Sequence, residues 1–144
     1  MEKIIQEKTS ADHLLYVSLK YTKTTDVILN LLDRWRSLIE TSLDRVMDRA
    51  KKKKIIKSIP TAPKLKIDKA REIFKKYPDI IAAINMLEFF KKVPQKERLR
   101  ENEFRKNVTL KIMDKGEWLN IDIEKLKEYN EIIEKFIREI KQLV

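Results

Sequence analysis

Apolar residues recur every three or four positions across a long stretch in the first half of the chain. Between Thr25 and Lys57 this spacing predicts one helix face that carries Ile28, Leu31, Leu32, Trp35, Leu38, Ile39, Ser42, Leu43, Val46 and Ala50. Thr24 or Thr25 can cap the first turn, and Pro60 and Pro63 stop the helix. The pattern therefore predicts one long helix over 25–57.

The preceding segment, His13 to Tyr21, has an ambiguous pattern. Ser10 and Asp12 offer N-caps for a helix, whereas the apolar residues alternate as they would in a strand. We expect a helix because the next segment is strongly helical, with a strand as the alternative.

Two more helices are predicted after the proline-rich linker. Asp68 can cap a short helix. Its inner side carries Ala70, Ile73, Phe74 and Tyr77. The next helix, Ile80 to Lys92, is apolar around most of its circumference and ends at Pro94. A helix of this kind is buried either at the centre of a fold or at a subunit interface.

A β-hairpin is predicted over 108–123, where apolar and polar residues alternate on both sides of a turn that contains Gly116, the only glycine. The stretch before it, Gln95 to Asn107, is mostly polar, with Leu99 and Phe104 as the expected core anchors. Asp122 can cap a final amphipathic helix that continues to the end of the chain.

Together these elements predict a mainly α-helical fold, a bundle of five or six helices that forms a single domain over residues 1–144. The β-hairpin is inserted before the C-terminal helix. We expect the long helix and the helix 124–143 to pack around Ile80–Phe90.

The positive charge is confined to the middle of the chain. Residues 51–115 carry 20 Lys and Arg against 8 Asp and Glu, while residues 1–50 are neutral and residues 116–144 have a small negative excess. A surface field of one sign attracts polyanions. The expected nucleic-acid-binding residues are Lys51, Lys52, Lys53, Lys54, Lys57, Lys91, Lys92, Arg98, Arg100, Arg105 and Lys106. Arginine suits bidentate phosphate contacts, and lysine acts as a mobile point charge.

Three aromatic residues interleave with the second basic stretch. Phe89, Phe90 and Phe104 could stack on bases, but their spacing fits buried faces, so we expect them to be core anchors.

The composition excludes most familiar catalytic motifs. A single glycine excludes Walker and Rossmann phosphate loops, and the absence of cysteine excludes thiolate metal sites. His13, the only histidine, has no partner for a zinc or di-metal motif. We therefore expect no enzymatic activity, no cofactor and no metal site.

An acidic row follows the long helix at four-residue steps: Glu40, Asp44 and Asp48. It is expected to be a solvated face, or to meet a basic surface of this chain or of another subunit, with a metal ion as the least favoured alternative.

Two resemblances bear on the fold. The stretch Ala11 to Thr24, ADHLLYVSLKYTKT, resembles the opening of small uncharacterised helical proteins of archaea, and FRKNVTL at Phe104 to Leu110 is a second, weaker similarity. The abundant Lys, Glu and Ile resemble the composition of hyperthermophile proteins, although an AT-rich genome gives a similar excess. The helical plan also resembles HEPN-type bundles, whose ribonuclease members carry an Arg-x4-6-His motif. No histidine follows His13, so this resemblance implies the fold without the nuclease activity.

The leading functional hypothesis is non-catalytic RNA binding through a basic surface within residues 51–115, in a cytoplasmic protein that could belong to a ribonucleoprotein. No aliphatic run is long enough for a membrane span, so no membrane partner is expected. The alternative is a homodimeric interaction module that uses either Ile80–Phe90 or the acidic row. A HEPN-like toxin–antitoxin partner ranks third.

Overall fold

The structure is a computed structural model that describes residues 1–144. In chain order the helices are α1 (Glu2–His13), a π-helical turn (Leu14–Ser18), α2 (Leu19–Thr22), α3 (Thr25–Lys52), α4 (Pro63–Ile73), α5 (Pro78–Lys92), a 3-10 turn (Val93–Gln95) and α6 (Ile123–Leu143). The strands are β1 (Arg98–Glu101), β2 (Thr109–Asp114) and β3 (Glu117–Ile121). The predicted mainly α-helical bundle with a β-hairpin before the last helix is confirmed.

The N-terminal segment forms one continuous helix from α1 through the π-helical turn to α2. Buried Ile4, Ala11, Leu15 and Leu19 share one side of it, so the strand alternative for 13–21 is wrong. The helix also begins earlier than predicted, and Ser10 and Asp12 lie inside α1 rather than at its start. It ends at Lys23, which has a left-handed φ of 51°.

The long helix ends at Lys52, five residues before the predicted Lys57. The Lys54 amide donates to the Lys51 carbonyl at 3.0 Å, the Ile55 amide donates to the Ala50 carbonyl at 2.9 Å, and Lys54 has a φ of 62°. This is a Schellman C-cap, which apolar periodicity does not reveal. At the other end, Thr24 caps the helix as predicted, by accepting a hydrogen bond from the Val27 amide.

The short helix after the linker also differs from its predicted start. α4 begins at Pro63, whose fixed φ suits the first helical position, and Asp68 lies in its middle as an exposed residue. The predicted cap of α6 is confirmed, because the Asp122 carboxylate accepts from the Lys125 amide at 2.9 Å.

The core forms where α3 and α6 pack against α5. Trp35 of α3 stacks on Phe90 of α5 with ring centroids 6.2 Å apart, and Tyr129 of α6 meets both rings edge-on. The inward residues of α5, from Ile80 to Phe90, are buried within the chain itself. This central position confirms the predicted packing of the long and last helices around α5.

The sheet is antiparallel, in the order β1–β2–β3. Its inner face buries Val108, Leu110, Ile112 and Ile121. Lys115 and Gly116 of the hairpin turn both have positive φ, at 51° and 80°, as a type I′ turn requires. β1 was not predicted, because its residues do not alternate between apolar and polar in the way that marks a half-buried strand.

Truncating a fully buried leucine should destabilise this fold strongly. Leu38 on α3 has no exposed surface, so Leu38→Ala leaves a cavity and should lower the free energy of unfolding by about 2–5 kcal/mol. Leu65→Ala on the surface is the matched control and should cost less than about 0.5 kcal/mol. Urea unfolding measures both, and equal costs would contradict the central position of α3.

Stability at alkaline pH should depend on Tyr129. Burial, with smaller effects of the Glu128 and Asp114 charges, raises the pKa of Tyr129 to about 12 from an ordinary 10.0. The unfolded chain therefore loses this proton first, so the contribution of Tyr129 to stability is complete below pH 10 and falls between pH 10 and 12. Denaturant unfolding of Tyr129→Phe should show a shallower decline over this range than the wild type. An equal decline of stability with pH in the two proteins would contradict the raised pKa of Tyr129.

Candidate nucleic-acid interface

The predicted basic residues fall into three groups along the bundle. Lys51–Lys54 and Lys57 lie at and beyond the C-terminal end of α3, Lys91 and Lys92 end α5, and the group Arg98–Lys106 lies near the N-terminal end of α3. At 1.5 Å per residue, Asp26 and Lys51, near the two ends of α3, are about 38 Å apart. The two basic stretches therefore do not form one compact patch.

One side of α3 nevertheless connects the outer groups. At 100° per residue, Asp26, Asp44 and Lys51 lie within about 40° of one another around the helix. Arg100 donates to Asp26 at 2.7 Å, and Lys66 donates to Asp44 at 3.0 Å. Cations from β1 and α4 thus lie along the same side of α3 as Lys51, and each is paired with a carboxylate of that side.

The middle group, Lys91 and Lys92, lies next to this side of the molecule, where it lines two depressions. Lys66 and Lys91 line a 160 Å³ cavity together with Glu40 and Asp44. A wider depression beside it is lined by Lys64, Lys91, Lys92 and Gln95. Arg98 then donates to the carbonyl oxygen of Val93 at the end of α5, at 2.9 Å.

We call the resulting surface the cationic strip. It consists of Lys51–Lys54, Lys57, Lys64, Lys66, Lys91, Lys92, Arg98, Arg100, Arg105 and Lys106. Lys64 and Lys66 were not among the predicted binding residues, and the fold places both beside Lys91.

Most of the predicted binding residues are not neutralised by the protein itself. Arg100 alone among them has a carboxylate within 4.0 Å, and its ion pair with Asp26 is largely exposed. Exposed pairs of this kind contribute little to stability, so Arg100 can exchange Asp26 for another anion at low cost. The strip therefore presents charges that are available to a ligand.

The acidic row is partly paired within the chain. Asp44 meets Lys66, and Glu40 accepts from Arg36 at 3.1 Å. The hydrogen bond with Asp33 raises the pKa of Arg36, so this guanidinium stays charged. Asp44 thus meets a cation of α4, Glu40 meets a cation of its own helix, and Asp48 is exposed, as expected of a solvated face.

The loop between β1 and β2 is attached to the start of α3. The Glu103 carboxylate accepts hydrogen bonds from both the backbone amide of Thr25, at 3.0 Å, and its hydroxyl group. The next residue, Phe104, donates its amide to the carbonyl oxygen of Lys23 at 2.7 Å. Glu103 therefore acts as a second cap for α3, since an anion is favourable at a helix N-terminus.

Hydrogen bonds within the loop fix its remaining backbone. The Arg105 amide donates to Asn102, and the Val108 amide donates to Arg105, at 3.1 and 3.0 Å. The Asn102 side chain also donates to the Asn107 carbonyl at 3.3 Å. Hydrogen bonds within the loop and hydrogen bonds to residues at the start of α3 thus hold the loop in one conformation.

The expected roles of two anchors are wrong. Leu99 and Phe104 were expected in the core, but Leu99 is half exposed and the Phe104 residue is 74% exposed. Leu99 pairs with Lys111 of β2, whose side chain lies on the outer face of the sheet. Among the aromatic residues of this stretch only Phe90 is buried as predicted, and Phe89 packs half-buried against it.

The remaining candidates contribute no further chemistry. The His13 side chain is exposed, and no group of three or more acidic or imidazole side chains is placed to hold a metal ion. None of the helices combines the length and the apolar character that a bilayer span requires.

Comparison of the chain with protein-family models, curated proteins and solved structures finds no match in any of the three. The resemblances to archaeal helical proteins and to HEPN-type bundles stay predictions.

Removing the Glu103 carboxylate should loosen the loop and weaken the start of α3. Glu103→Ala leaves the amide and hydroxyl of buried Thr25 without their partner and should cost about 1–2 kcal/mol. Hydrogen exchange at the Phe104 amide should also become faster. Glu131→Ala on the exposed side of α6 is the control and should change neither quantity. Unchanged exchange in Glu103→Ala would contradict the capping role.

Proposed function

We propose that the protein binds RNA without catalysis, through the cationic strip, as a component of a cytoplasmic ribonucleoprotein. The observation that carries this proposal is the set of cations in the three basic groups that have no carboxylate within 4.0 Å. The positive charge that supports the proposal is concentrated in residues 51–115, which hold 20 basic against 8 acidic residues. Phosphate contacts with such a surface release counterions, which favours binding to any polyanion of suitable length.

The length of the strip indicates the size of its ligand. The phosphates of one strand follow one another at about 3.4 Å along the axis of a stacked helix, so about 38 Å of protein surface spans on the order of ten phosphates. Oligomers much shorter than this would contact only one of the three basic groups. The arrangement supports an extended nucleic acid over a single phosphate group.

The homodimer alternative has less support from the geometry. The apolar residues of α5 are covered within the chain, and two carboxylates of the acidic row already meet cations of the same chain. The α5 surface is therefore engaged, and the acidic row is engaged at two of its three carboxylates. Light scattering at varied salt concentration distinguishes a dimer from a monomer, and a salt-sensitive dimer that retains no RNA would favour the homodimer alternative.

Charge reversal on the strip tests the proposal. Lys52, Lys53, Arg98 and Arg100 are all exposed, so replacing them with glutamate should leave the protein folded. Affinity for a single-stranded RNA oligomer should fall on the order of 100-fold or more at 0.1 M salt. For the wild type, log affinity should fall with log salt by about 0.7 for each phosphate contacted. Fluorescence anisotropy measures both quantities.

The matched control reverses four exposed cations that do not belong to the strip: Lys3, Lys127, Lys135 and Arg138. It changes the net charge equally. This variant should retain its affinity within about threefold at 0.1 M salt, since exposed charges more than a Debye length away are largely screened. Equal losses in the two variants would attribute binding to net charge alone and refute a defined surface.

A further inference from the structure

Phe104 combines exposure with an unfavourable backbone conformation. The residue is 74% exposed, and its φ of 64° lies in the left-handed region, which is sterically unfavourable for a residue with a Cβ atom. Its ring is absent from the aromatic packing around Trp35. The side chain thus contributes little burial that would offset its backbone conformation.

The contacts that hold Phe104 in this conformation come from its neighbours. Glu103 is bound to Thr25, and the Phe104 amide is bound to the carbonyl oxygen of Lys23. The Arg105 amide, which donates to the Asn102 carbonyl, fixes the backbone after Phe104, so both sides are held while the ring itself remains in solvent. Strained residues that the surrounding structure holds in place are concentrated at binding and catalytic sites.

The charges around the ring indicate the chemistry of its ligand. Arg105 and Lys106 follow Phe104 directly, and both are exposed without a carboxylate partner. The nearest carboxylate in sequence, Glu103, is engaged with α3. The loop therefore offers an apolar aromatic face next to two free cations, which matches a base next to its phosphates.

We propose that Phe104 is a stacking platform for one unpaired base of the bound RNA, with Arg105 and Lys106 on the adjoining phosphates. This inference rests on the proposed RNA binding and specifies its ligand as single-stranded. Stacking on an aromatic ring tolerates any base, because every base has a π-face, whereas bases in a duplex are already stacked on each other. The strip thus supplies affinity for any polyanion, and the loop distinguishes single strands from duplexes.

Two variants distinguish the effect of the Phe104 ring from the effect of its backbone conformation. Phe104→Gly removes the ring and relieves the left-handed conformation, so its thermal unfolding midpoint should equal or exceed that of the wild type. Phe104→Tyr keeps an aromatic face. Leu65→Ala is the control for losing an exposed apolar side chain elsewhere on the protein.

The probes are a single-stranded RNA oligomer of mixed sequence, an abasic strand of the same length and a duplex. Phe104→Gly should lose about 5- to 150-fold in affinity for the single strand, the loss expected for one stacked base. It should bind the abasic strand and the duplex as the wild type does, with an unchanged salt dependence. Phe104→Tyr and Leu65→Ala should bind the single strand within about threefold of the wild type.

The outcomes separate this inference from the proposed function. If Phe104→Gly binds the single strand as well as the wild type does, stacking is refuted while RNA binding stands. An equal loss for the abasic strand would also refute stacking, because no base is then involved. If the wild type binds none of the three probes, the proposed function fails as well. Binding of the wild type to anionic lipid vesicles that Phe104→Gly abolishes, without any effect on RNA, would assign the ring to a membrane surface and overturn the inference.

Discussion

Burial of α3 by the other helices is the constraint on which the rest of the structure depends. Its apolar face is covered by the N-terminal helix, α5 and α6, and Trp35 lies at the centre of the aromatic packing. Because one face of α3 is buried, the residues of the opposite face are fully or partly exposed along the whole length of the helix. The spacing of the cations along the strip follows from this helix, because residues distant in sequence are attached along it.

The elements that the sequence predicted well are those whose signals are local. The apolar spacing of α3, the Asp122 cap of α6 and the glycine of the hairpin turn each depend on a few neighbouring residues. The features that were missed depend on distant contacts or on backbone conformation. Glu103 and Thr25 are 78 positions apart, and the end of α3 is decided by the left-handed conformation of Lys54.

The sequence predicted most of the basic residues that form the candidate surface, but it did not predict where the fold places them. The basic residues were evident from charge alone, but the sequence could not show that three groups share one side of α3. For Phe104 the expectation was wrong, because aromatic residues are usually buried and the neighbouring polar residues gave no sign of a fixed loop. The hydrogen bonds of Glu103 hold the loop on α3, so the Phe104 ring is not needed to anchor the loop in the core.

The central claim is that one continuous side of the molecule contacts RNA, from the β1–β2 loop to the C-terminal end of α3. Amide chemical-shift mapping during titration with a single-stranded RNA oligomer tests this claim directly. The account predicts salt-sensitive shifts in the three basic groups and at Phe104, with the exposed side of α6 unaffected. Shifts confined to α6, or distributed evenly over the whole surface, would contradict it.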